Sequence, residues 1–61
     1  MAQITEKELS ALNDLMALEC TMQAKCKYLA EHTEDGVLAD CYSQMAQRHQ
    51  RHFDELYANL K

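Results

Sequence analysis

The sequence predicts an all-α fold: a two-helix antiparallel hairpin that pairs with a second copy, or a similar partner, to complete a four-helix bundle. Three observations lead there. The 61 residues contain no Pro, one Gly and a composition dominated by helix formers, with β-branched side chains only at Ile4, Thr5, Thr21, Thr33 and Val37. Apolar residues recur in steps of three and four along two long stretches, the signature of a buried helix face. Only one break, between His32 and Gly36, separates them.

Residues 1–61 form one small domain. The first helix is expected over about 6–31. Thr5-Glu6-Lys7-Glu8 fits a capping box, with Thr5 at the N-cap and Glu8 three residues later, and Ile4 is placed to staple onto Leu9. The stripe then runs through Leu9, Leu12, Leu15, Met16, Met22, Cys26 and Leu29. In the break, Thr33 is expected to cap the second helix, whose first turn would carry Glu34 and Asp35 in favourable contact with the helix dipole. That helix is expected over about 34–59, with Val37, Leu38, Cys41, Met45, His49, His52, Phe53, Leu56 and Leu60 along its stripe. At 1.5 Å per residue each helix is roughly 39 Å long, and the short link makes them antiparallel.

Two helices enclose no core. A chain this short is marginal alone, and long apolar stripes left in water associate. A homodimer is therefore expected.

The stripes are interrupted by polar residues. Glu19 occupies a seam position between Leu15 and Met22, and His52 an equivalent one, three residues after His49. In a hairpin turning near Thr33, facing residues have numbers summing to about 68, so Glu19 lies level with His49 and His52 less than one turn beyond. The interruptions of both helices thus meet at one depth. One reading is a metal site of Glu19, His49 and His52, doubled by the dimer axis and suited to zinc, iron or manganese. The simpler one is a hydrogen-bonded Glu–His pair that fixes register in an apolar seam. His49 also has a polar neighbourhood, Gln47, Arg48, Gln50 and Arg51, in which it could face water.

Cys26 and Cys41 fall at nearly one level on the two stripes. A disulfide is geometrically conceivable, but small buried hydrophobes are expected, and Cys20 beside the stripe is expected to be partly buried. Met16, Met22 and Met45 read as core filler. Tyr28, Tyr42 and Tyr57 read as flanking rings with wet hydroxyls. Lys25, Lys27, Arg48 and Arg51 read as solvated faces making surface ion pairs.

The run Thr5-Glu6-Lys7-Glu8, Leu12-Asn13-Asp14-Leu15 and Leu18-Glu19 resembles the first helix of the small spore coat protein F-like family. Asp35-Gly36-Val37-Leu38 and Gln44 through Phe53 resemble its second. The resemblance covers nearly the whole chain. It implies a ferritin-like half-bundle, an association with bacterial spores or their coat proteins, and no established enzymatic activity. Ferritin-like halves carry a Glu on the first helix and Glu-x-x-His on the second. Glu19 and His52 match these positions, whereas His49 stands where the second Glu belongs. One carboxylate per half implies a degenerate site, structural or occupied by zinc, rather than a centre for oxygen activation.

Charge and motifs weigh against other classes, of which an RNA-binding hairpin dimer is the third alternative. Ten acids against six bases give a net charge of −4, which suits neither nucleic acid nor an anionic membrane. An RNA-binding hairpin dimer would need a basic row along one pair of helices, and Arg48, Arg51 and Lys61 are too few. There is no Gly-rich phosphate loop, catalytic triad or Cys-x-x-Cys knuckle, so catalysis is the less expected role. No apolar run is long enough to span a membrane. The first residues lack a signal-peptide pattern, and an odd cysteine count suits a reducing interior, so a cytoplasmic or spore-associated location is expected.

Overall fold

The computed structural model describes residues 4–60, all of whose regular structure is helical. Helix α1 spans Glu6–His32 and helix α2 spans Gly36–Ala58. They lie side by side as a hairpin within an envelope of 47 × 16 × 11 Å, which holds one layer of two helices and no second layer.

Each end of α1 is fixed by a local hydrogen-bond arrangement that the sequence encodes. The Glu8 backbone N–H donates to Thr5 Oγ1 at 3.1 Å, and the Thr5 N–H donates back to Glu8 Oε1 at 3.2 Å. This is the reciprocal capping box, satisfying two donors that a bare helix end leaves free. Ile4 is half-buried, whereas Leu9 stays 40% exposed. At the other end Thr33 leaves the helix with extended backbone, its N–H donating to the Leu29 carbonyl at 3.0 Å.

The turn departs from expectation. Asp35, not Thr33, caps α2: its Oδ1 accepts from the N–H groups of both Val37 (2.9 Å) and Leu38 (3.1 Å). The second helix therefore starts at Gly36 and not near residue 34, and Glu34 and Asp35 lie outside its first turn. Asp is the stronger N-cap, its charge complementing the helix N-terminus. Thr33 acts one step earlier, its Oγ1 accepting from the Asp35 N–H at 3.2 Å.

Gly36 has no positive φ, and a Cβ built on it would meet nothing within 4 Å. Its glycine is thus not required by the turn. Gly36→Ala is expected to stabilise the protein by about 0.5 kcal/mol through the unfolded chain's lost freedom. A rise of about 3 °C in the thermal midpoint would show it; a fall would mean that Gly36 is needed for a contact outside the single hairpin.

The two helices touch along a narrow seam. Among the described residues only Cys26, at 5% exposure, and Ala46, at 9%, are buried. Leu12, Met16, Leu29, Met45, Phe53 and Leu56 are half-buried beside them. Other apolar residues are open: Leu15 is 50% exposed, Leu18, beside the stripe, 57% and Leu38 43%. Cys41, expected to be buried, is exposed, as is Cys20, and all three cysteines are free thiols. The reason is geometric: an apolar stripe is wider than the line along which two helices meet. Met22, read as core filler, is likewise exposed.

The flanks also depart in one respect. Tyr28 stacks on His32 with centroids 4.0 Å apart, and Phe53 lies parallel to Tyr57 at 6.4 Å, as edge rings should. Among the described residues, however, Lys25, Lys27, Arg48 and Arg51 form no ion pairs; the ion pairs present all belong to Glu19.

Candidate metal centre

Helix α1 carries Glu19 one turn after Leu15, and α2 presents His49 and His52 across from it. The antiparallel register brings all three sequence-predicted residues together. The Glu19 carboxylate receives both imidazoles, one on each oxygen: Oε1 lies 2.5 Å from His49 Nδ1, and Oε2 lies 3.1 Å from His52 Nδ1. The side chains of Glu19 and His49 are 19% and 20% exposed, and that of His52 is 45% exposed. The two rings meet edge to face, with centroids 6.0 Å apart at 86°. His49 therefore faces the seam, not its polar neighbours on α2.

A carboxylate only accepts, so each contact as a hydrogen bond requires a proton on Nδ1. The hydrogen bond from His49 is the main reason that the Glu19 carboxyl lies below its ordinary value of 4.5. Partial burial opposes it, while the charges of His52 and His49 and the bond from His52 add to it. A depressed carboxylate contributes stability that is present above the unfolded value and is lost as pH falls through the folded one. Between about pH 5 and pH 3, the thermal midpoint of the native chain is therefore expected to fall further than that of Glu19→Gln. Parallel acid limbs would show that the carboxylate's contacts do not stabilise the fold.

One potential donor atom from each of the three residues lies within 4.8 Å of the others, which is a metal-ligand spacing. Two liganding atoms joined through an ion by bonds of about 2.0–2.1 Å stand about 2.9–3.4 Å apart, depending on geometry. The His52–Glu19 separation already falls in that range. The His49–Glu19 separation would have to open by about half an ångström or more.

On the outer side of His52 the cluster opens into a cleft of about 300 Å³ lined by Leu15, Glu19, His52, Glu55, Leu56 and Asn59. Glu55 is the one ionisable group here to which the sequence analysis assigns no role. It continues the three-residue spacing of His49 and His52, which was the signal available to find it. A larger cleft of about 660 Å³ between the helices, bordered by Gln23, Lys27, Ser43, Ala46, Gln47 and Arg51 among others, contains none of the cluster residues.

No family model, curated protein or solved structure matches this chain. No helix among the described residues is long and apolar enough to cross a membrane.

Proposed function

We propose that the chain is a small structural or interaction protein that works as a homodimer, two hairpins closing a ferritin-like four-helix bundle. The observation that carries this reading is the uncovered apolar stripe. Leu15, Leu18 and Met22 on α1 and Leu38 on α2 are exposed, and among the described residues only Cys26 and Ala46 are buried. A second hairpin laid on that face would bury them and supply the core that a single layer lacks. A spore-associated role, alongside other coat proteins, follows from the resemblance of its two helices to the spore coat protein F-like family. Light scattering at micromolar concentration is expected to give twice the 7.0 kDa mass of the chain. A 7.0 kDa particle would refute the dimer.

A second reading is favoured by the Glu19–His49–His52 constellation: the interface binds a divalent transition ion. Two imidazoles and a carboxylate suit zinc, and accommodate iron or manganese. Binding at both Nδ1 atoms would move each ring proton to Nε2. Elemental analysis of untagged protein is expected to find the metal. Less than about a tenth of an equivalent, with no response of the thermal midpoint to added zinc or iron, would leave the cluster as a hydrogen-bonded pin that fixes helix register.

A further inference from the structure

We propose that a divalent transition ion is shared between two copies of the hairpin. Each copy contributes Glu19 Oε2 and His52 Nδ1, so that one ion per dimer is held by two carboxylates and two imidazoles. His49 is then a positioning residue that steadies Glu19 through a hydrogen bond. This rests on the dimer and metal readings together and joins them in one site.

The two contacts of Glu19 differ. Its Oε2 lies 3.1 Å from His52 Nδ1, a separation that one ion spans with bonds of about 2.0–2.1 Å. Its Oε1 and His49 Nδ1, at 2.5 Å, are too close for that and form a hydrogen bond instead. Exposure divides the histidines in the same way, since His52 is open where His49 faces the seam. One hairpin thus presents two ligands at its surface, half of a tetrahedral zinc shell.

His52 belongs to the side that a second copy would cover. Leu38, Met45 and His52 follow at seven-residue intervals and form one row on α2, as Leu15, Met22 and Leu29 do on α1. Leu15 and His52 line the same cleft, so both rows border one side of the hairpin. On that side Leu15, Met22 and Leu38 are exposed. The other groove, bordered by Gln23, Lys27, Ser43, Gln47 and Arg51, is polar and needs no cover.

The level of the site makes it self-complementary. Glu19 is the central residue of α1, Glu6–His32. A two-fold axis along the bundle leaves every residue at its own level. A two-fold axis across the middle of the overlap inverts levels about Glu19. Either axis brings the two Glu19–His52 pairs to one depth. Two carboxylates also neutralise a divalent ion, which matters between walls formed by Leu15 and Leu56.

The test is zinc titration of the full-length, reduced chain against a competing chelator, with the dimer dissociation constant measured by sedimentation in zinc and in excess chelator. Zinc is expected to saturate at about half an equivalent per chain. It should also tighten the dimer by at least about tenfold. Cobalt(II) in its place should give four-coordinate absorption without thiolate charge-transfer bands. His52→Ala should abolish both zinc binding and the zinc effect on dimerisation. His49→Gln should weaken affinity by about tenfold while keeping the native stoichiometry and cobalt spectrum. Saturation at about one equivalent per chain, a dimer indifferent to zinc, or thiolate bands overturns the shared site and leaves the dimer standing. If the native chain binds zinc no better than the His49→Ala/His52→Ala double variant, the metal reading itself fails and the shared site with it. A 7.0 kDa particle in saturating zinc removes the dimer reading and the shared site together.

Discussion

Replacing Leu18 by Glu is expected to halve the particle mass and to make helicity depend on concentration. In the isolated hairpin this position is 57% exposed, the most open leucine in the molecule. Leu and Glu have similar helix propensity, so in a monomer the exchange should be close to neutral. In a dimer the same residue is covered once in each copy. Each lost leucine then removes about 1.5–3 kcal/mol of burial and puts a carboxylate into an apolar interface. The net stability of a domain this small is about 5 kcal/mol, so the two copies together consume most of it. Light scattering and circular dichroism over a dilution series would read both effects. A variant with native mass and midpoint would show that Leu18 lies outside any contact between copies.

The second large effect is the zinc response. At a free zinc concentration a thousandfold above the dissociation constant, the native chain should gain about 4 kcal/mol. For a chain of this length that corresponds to a rise of roughly 15–30 °C in the thermal midpoint. Glu19→Ala is expected to lose most of that rise, because both imidazoles then lack the carboxylate that aligns their Nδ1 atoms. An equal rise in native and variant chains would assign the zinc to other groups, the exposed thiols of Cys20 and Cys41 being the first to examine.

Much of this architecture is legible in the sequence because it rests on local rules. The Thr5–Glu8 capping box needs only four residues, and the structure realises both of its hydrogen bonds. The facing of Glu19 and His49 follows from arithmetic once the turn is located, and an error of two residues in the start of α2 did not disturb it. Thr33 and Asp35 were harder to rank, since both are good capping residues and the link is too short to separate them by pattern. The seam itself was the least legible part. Ala46 is buried because it is small enough for α1 to approach, and hydropathy gives such a residue little weight. Cys41 and Met22 lie on the stripes yet remain open, because periodicity marks the face a helix hides in its final assembly. It does not say which part a single hairpin hides. Leu18 shows the same limit from the other side: its place on the open flank is evident only when the width of the stripe is compared with the line of contact.

The antiparallel layout has a use in engineering. Thr5 and Leu60 emerge at the same end of the hairpin, away from the turn at Thr33–Asp35. Two copies could therefore be tethered tail to head by a flexible linker that joins the open end of one hairpin to the open end of the other. Such a tether sets an effective concentration in the millimolar range for a short linker, whatever the dilution of the protein. Assembly becomes intramolecular, and the melting midpoint no longer depends on how much protein is present. The two halves also become separately mutable, so one copy of Glu19 can be altered while its counterpart stays intact.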